Sequence, residues 1–311
     1  MLCSLGDRVR GDLAERDPIA GWRNRPVAGL SAGMNAMTVD VEDYFQVEAF
    51  FPHINRADWD KIECRVEANT DRILQLFADH GVKATFFTLG WIAKRYPEMV
   101  RRIVANGHEL ASHGTAHIRA DHQSRAQFAN DVRTAKDILE DIGGSPVLGY
   151  RATSFSITRR NLWALNALED AGYRYSSSTH PIKHDLYGIP DQPRFAFYPF
   201  VNSSFVEIPV TTMRLFGRNW PAGGGGYFRL FPYMLFKQNL KIVRFQDRKP
   251  LTFYFHPWEI DPEQPKIAGT SFKTHFRHYL NLDRTYGRLQ KLLRDFHWSS
   301  IASLYQIGGA S

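Results

Sequence analysis

Cysteine is scarce in this chain: its 311 residues contain two, Cys3 and Cys64. Two thiols cannot form a disulfide framework, so a packed core must hold the fold, and the usage fits a reducing compartment. Long apolar runs are missing as well. No stretch approaches the roughly 20 residues that a membrane-spanning helix needs. The N-terminal segment lacks the apolar centre of a signal peptide, because Asp7, Arg8, Arg10, Asp12, Glu15, Arg16 and Asp17 interrupt it. Residues 1–33 also lack a sustained period and read as a disordered leader, or as sequence upstream of a start at Met34 or Met37. These absences predict a cytoplasmic protein, with peripheral membrane contact as a variant. The formal charge is +7, but no nucleic-acid motif accompanies it, so nucleic acid is not an expected partner. Lys and Arg gather late, in Lys237–Arg244 and Arg277–Arg294. Such clusters form either a solvated basic face or a surface attracted to anionic glycans, lipid phosphates or a membrane.

What is present is apolar and aromatic. Hydrophobic residues make up 43% and aromatic residues 14%, enough to bury a large core and still line a cleft. From Asn35 onward strand and helix patterns alternate. Strands are predicted over 36–41, 84–89, 109–112, 147–151, 173–176 and 251–256, with a last one around 299–302. Helices are predicted from Asn69 or Thr70 to His80, and over 91–106, 124–142, 159–171 and about 271–295. Repeated βα units argue for an α/β fold with a parallel sheet, closed or nearly closed into a barrel. The alternation fails over about 180–249, which carries seven prolines and the run Gly223–Gly226. This stretch is expected to be an irregular Pro/Gly-rich insertion in a single domain, 34–311. The glycine run lacks the Gly-Lys-Ser/Thr ending of a phosphate loop and reads as a flexible loop.

The chemistry-bearing residues fall at strand ends, where α/β enzymes present their catalytic groups. His113 and His117 lie four apart after the third strand, a spacing that lets two imidazoles on one side of a helical turn reach one metal ion. The first strand ends in Asp40-Val41-Glu42-Asp43, three carboxylates in four positions, so a cation or an arginine is expected nearby. In extended chain, 40 and 42 share a face; a turn at Val41 would instead swing Asp43 inward. Arg151 ends the fourth strand and is suited to pair with a carboxylate. His256 ends a late apolar strand, where burial would lower its pKa and a carboxylate neighbour would raise it. The remaining histidines lie in no recognisable constellation.

Taken in order, these groups resemble the polysaccharide deacetylases of carbohydrate esterase family 4, the NodB-homology group. Thr38–Asp43 is similar to the family's first motif in an Asp-x-Glu form, and His113-Gly-Thr-Ala-His117 to its metal motif. Arg151-Ala-Thr-Ser-Phe155 is similar to the arginine motif, and Phe255-His-Pro-Trp-Glu259 to the late histidine motif. The wording around Asp40–Val47, Gly224–Leu230 and His256–Glu259 is similar to a narrower branch found with exosortase (PEP-CTERM) exopolysaccharide clusters. The resemblance implies a distorted barrel of about seven strands, a divalent metal, most often zinc, and removal of N-acetyl groups from amino sugars.

The resemblance also implies roles. His113, His117 and one carboxylate, Glu42 in preference to Asp43, hold the metal. Asp40 is the general base oriented by Arg151, and His256 is the general acid. Phe155 and Trp258 wall the acetyl and sugar sites, and a main-chain N–H near Phe155 helps to stabilise the oxyanion. The expected partner is an N-acetylated glycan, with the oligomeric state open. Two alternatives stand beside this reading: a metal-independent amidohydrolase for a small cyclic amide or ureide, and a non-catalytic glycan-binding protein.

Overall fold

A computed structural model describes residues 33–184 and 187–308, together with Asp17, Ile19, Trp22 and Val27. The expected leader therefore lies largely outside the described residues. The strands are β1 (Met34–Val41), β2 (Thr85–Thr88), β3 (Glu109–Ser112), β4 (Gly149–Tyr150), β5 (Tyr175–Ser176), β6 (Val206–Glu207), β7 (Thr212–Leu215), β8 (Arg218–Pro221), β9 (Thr252–Phe255) and β10 (His297–Ser299). The helices are α1 (Val66–Asp79), α2 (Gly90–Arg95), α3 (Pro97–Ala105), α4 (Arg125–Gly143), α5 (Trp163–Asp170), α6 (Gly225–Leu230), α7 (Tyr233–Asp247), α8 (Phe272–Tyr279), α9 (Leu282–Asp295) and α10 (Ile301–Tyr305).

Eight strands form one sheet in the order β10-β1-β2-β3-β4-β5-β6, with β9 also on β1, and every pairing is parallel. β1 is flanked on both edges and packed on both faces, so all its residues but Met34 are buried. Helices cover the outside, and residues such as Phe77, Phe86, Ile103, Leu139 and Leu165 fill the layer beneath them.

The sheet is a half-barrel and not a closed one. Between β6 and β9 the chain leaves the sheet as the β7–β8 hairpin, and only its base returns: Thr211 N donates to Thr252 O (3.2 Å) and Tyr254 N to Gly223 O (2.8 Å). That approach explains the glycine run, which is packed and not a flexible loop. A Cβ on Gly224, whose φ is +131°, would lie 1.9 Å from Tyr254 O.

Other departures from the sequence reading have local causes. The helix expected over 91–106 breaks into α2 and α3 at Tyr96, because Pro97 disfavours helix in the residue before it. The helix expected over 271–295 breaks at Asn281, which is left-handed at φ 54°. The last strand lies earlier than expected, and Ser300 instead caps α10 through Ser303 N. The supposed irregular stretch holds two helices, α6 and α7, the latter 15 residues long. Its prolines obscured them: Pro232 does not break α7 but precedes its first turn.

Candidate active site

The C-terminal ends of β1, β3, β4 and β9 converge on one buried cluster. Glu42, His113 and His117 each present a ligand atom, all within 4.8 Å of one another. The histidine pair is not on a helix. β3 ends at Ser112, and the loop then folds back through Gly114 (φ 81°) and a strained His117 (φ 52°). Asp131 of α4 holds this loop through Thr115 N (3.1 Å). Arg56 clamps its far side by donating to Ala116 O (2.8 Å) and His117 O (2.7 Å).

The donor set fits a divalent metal. His113 places Nδ1 2.8 Å from Arg151 O, which leaves Nε2 for coordination. Glu42 Oε2 lies 2.5 Å from His117 Nε2, is buried, and accepts no aligned hydrogen bond. Two imidazoles and a carboxylate are a zinc-type set that leaves a position for water or substrate. Burial pushes the Glu42 carboxyl up, but the surrounding histidines outweigh it and hold it well below the usual range. Burial lowers His113 to about 4, keeping it neutral, as a ligand must be.

Asp43 points elsewhere. Its carboxylate accepts from Tyr44 N (2.8 Å), Arg65 N (2.7 Å) and Val66 N (2.9 Å), so it caps a short helical turn and the start of α1. This cap also explains why α1 begins before the expected Asn69 or Thr70. The structure therefore groups Glu42, and not Asp43, with the histidines.

Asp40 sits beside the cluster. Arg151, fully buried, donates through Nη1 to Asp40 Oδ1 (2.6 Å) and to Thr38 Oγ1 (2.7 Å), and through Nε and Nη2 to Ser177. A guanidinium fixed by four bonds leaves the carboxylate little freedom to rotate. His256 faces both acids from β9, with Nε2 3.5 Å from Glu42 Oε1 and 3.9 Å from Asp40 Oδ2.

Behind His256 lies a relay that the sequence reading missed. Nδ1 is 2.7 Å from Glu259 Oε1, and Glu259 Oε2 accepts from Arg229 Nε at 2.6 Å. Arg229 is anchored in turn on the carbonyls of Arg277, His278 and Leu280. Burial alone would lower the pKa of His256, but Glu42 and Glu259 outweigh it and raise it to about 9. The available signal was the spacing: an acid three residues after His256, across Pro257, has the reach of a capping box. Arg229 gave no such signal, since it lies 30 residues from Glu259.

The two aromatic candidates are buried. Trp258 is stacked between His256 (5.2 Å) and His278 (4.2 Å), and its indole N–H donates to Glu42 Oε1 at 3.2 Å. It thus orients a ligand carboxylate and does not offer an open face. Phe155 packs on Tyr254 (5.1 Å), His180 (5.5 Å) and Tyr187 (6.1 Å). Its own N–H donates to Ala152 O at 3.1 Å, so this amide is already engaged within its turn and does not point at an oxyanion.

Fold and site together define a class: an α/β half-barrel with a parallel sheet and a buried two-histidine, one-carboxylate cluster at its strand ends. The crystal structure of a Mycobacterium smegmatis protein assigned to the polysaccharide deacetylases matches it with a TM-score of 0.59 at 16% identity, covering 92% of this chain and 93% of that one. The PuuE allantoinase matches with 0.57 at 16% identity, over 94% and 96%. Likeness at this identity speaks for the fold alone.

In sequence, residues 58–176 match the family described as polysaccharide deacetylase, and residues 177–306 match a domain of unknown function, DUF3473. Residues 58–176 are therefore similar to the polysaccharide deacetylases, and the segment behind them is similar to DUF3473. The first match contains His113, His117 and Arg151, the second contains Arg229, His256 and Glu259, and Asp40 and Glu42 precede both. A chitooligosaccharide deacetylase of Bradyrhizobium sp. is 38% identical over 98 residues, covering 32% of this chain and 45% of that protein. A peptidoglycan-N-acetylglucosamine deacetylase of Bacillus cereus is 33% identical over 75 residues, covering 24% and 27%. The chain thus spans less than half the length of these curated relatives.

Proposed function

We propose that this protein hydrolyses N-acetyl groups from amino sugars of an exopolysaccharide or its precursor. The observation that carries the reading is the buried Glu42–His113–His117 cluster with Asp40 and His256 facing it. Glu42, His113 and His117 would hold a divalent ion there, which would supply Lewis acidity toward the acetyl carbonyl and acidify a water. Asp40, fixed by Arg151, accepts the water's proton through Oδ2, the oxygen that Arg151 leaves free. His256 stands across from it with Nε2 directed into the same space, and it donates its proton to the departing sugar amine. Glu259 and Arg229 keep that ring in place, and Trp258 keeps Glu42 turned toward the histidines.

Two narrower proposals go with it: an exopolysaccharide locus of the exosortase type, from likeness in wording, and action in the cytoplasm or at its membrane face, from the scarcity of cysteine. Among the described residues no helix is long and apolar enough to cross a membrane. The likeness to an allantoinase keeps a cyclic-amide hydrolase as the second reading, and the buried two-histidine, one-carboxylate set weighs against its metal-independent form.

The deciding experiment is acetate release from chitooligosaccharides and polymeric N-acetylglucosamine substrates, before and after chelation. We expect release that stops with chelator and returns with added zinc. Release indifferent to chelation, or none from any N-acetyl sugar, overturns the reading.

A further inference from the structure

We propose that the substrate is an acidic glycan, bound as an extended chain in a two-armed basic groove across the opening of the site. This inference rests on the deacetylase reading and narrows its substrate class. Two cavities of about 450 and 740 Å³ adjoin at His184, which lines both. Their common wall is connected to His256 by a chain of ring contacts. Tyr187, stacked on His184 at 4.0 Å, packs on Phe155, which meets Tyr254, whose ring lies 5.8 Å from His256. The first arm includes Glu48, on the segment whose Phe51 packs against His117 at 5.8 Å. Ring contacts thus tie the shared wall to His256 and the first arm's Glu48 segment to His117.

Their lining is cationic in a particular way. In the walls, Asp121 is bound to Arg119 and Asp191 to Arg159. Arg160 in the first arm, and Lys183, Arg214 and Arg218 in the second, are exposed and form no ion pair among the described residues. Among the described residues, Glu48 is the remaining carboxylate in the two walls. The second arm adds Trp220, 49% exposed, and the half-buried Tyr227, flat surfaces suited to sugar rings. Unpaired cations interleaved with aromatic faces on a concave surface match a chain of sugars that carries carboxylates. A lipid-linked pyrophosphate presents the same anionic chemistry, but at one end only. Cations in both arms favour charge that recurs on either side of the reacting sugar.

The test is equilibrium binding to the full chain stripped of metal, so that no turnover interferes. The probes are a hyaluronan octasaccharide, which alternates N-acetylglucosamine with glucuronate, chitooctaose, and a short N-acetylglucosamine oligosaccharide carrying a prenyl pyrophosphate. We expect hyaluronan to bind about ten-fold tighter than chitooctaose at low salt, with the advantage shrinking in 0.3 M salt. Arg214→Gln/Arg218→Gln and, separately, Arg160→Gln should each cut hyaluronan binding several-fold and leave chitooctaose unchanged. Equal affinity for the two octasaccharides, or a preference untouched by these exposed substitutions, overturns the proposal. So does tightest binding of the pyrophosphate probe with sensitivity in one arm only. Because binding is read without catalysis, a failure of acetate release is recorded separately and does not decide this result.

Discussion

Glu42 and Asp43 are adjacent carboxylates, both buried, yet the structure gives them different work, and substituting each to Ala should tell them apart by bound metal. In Asp43→Ala three backbone donors lose a charged acceptor: Tyr44 N, Arg65 N and Val66 N. The Tyr44 and Val66 bonds are buried, while that of Arg65 is part-buried, so water replaces the third more readily than the other two. An unsatisfied buried donor costs about 1–3 kcal/mol, so the loss should come to roughly 3–4 kcal/mol of unfolding free energy. Asn at 43 keeps an acceptor oxygen and should lose about half as much. Glu42→Ala removes a carboxylate that, against the cost of its burial, the surrounding histidines hold in its charged form and that accepts from Trp258 at 3.2 Å. Metal-free stability should therefore also fall, but the distinguishing outcome is bound metal, which should drop to background in Glu42→Ala and persist in Asp43→Ala. The assays are metal content by elemental analysis after purification, and denaturant unfolding with chelator present. Full metal retention in Glu42→Ala would refute the assignment. So would loss of metal in Asp43→Ala with unchanged metal-free stability.

Two further outcomes follow from groups away from the metal ligands' own bonds. Glu259→Gln leaves Arg229 facing a neutral side chain and His256 without its charged anchor; acetate release should drop roughly 10–100-fold while metal content holds. Equal activity would show that the relay is idle. His108 is packed on Phe77 and Phe86 and accepts from Ala84 N, and its burial lowers its pKa to about 4. A folded-state pKa below the unfolded 6.5 means that His108 contributes stability above about pH 6.5, and that this is lost as pH falls toward 4. The loss should reach about 3 kcal/mol. His108→Gln keeps an acceptor without the titration, so its urea midpoint should decline less over that range. A wild-type and variant pair with parallel pH profiles would sink the assignment.

The alternation of apolar strands with amphipathic helices was legible because β and α periods are local properties of the chain. So was the placement of Asp40, Arg151, His113, His117 and His256 at strand ends, since parallel strands put all such ends on one side of a sheet. The breaks at Tyr96 and Asn281 were less legible. The first follows from a proline that a helical pattern overrides on paper, and the second from a left-handed residue that tertiary packing selects. The stretch 180–249 was misread because proline and glycine counts do not say whether a proline opens a helix, as Pro232 does, or whether a glycine lies against a strand, as Gly224 does.

Residue identity and spacing by themselves determined that two histidines, an arginine, a late histidine and an acidic strand end could meet. They did not determine which carboxylate would join the histidines. Glu42 and Asp43 differ by one position, and the choice depends on where Arg65 and Val66 place their free amides, some 22 residues further along. Those amides at the start of α1 attract the carboxylate of Asp43 and so leave Glu42 to turn inward. Likewise Arg229 reaches Glu259 only because α6 packs against the end of α8, a contact between segments about 50 residues apart. Local pattern sets which groups are on offer, and long-range packing of backbone donors and acceptors decides which of them face one another.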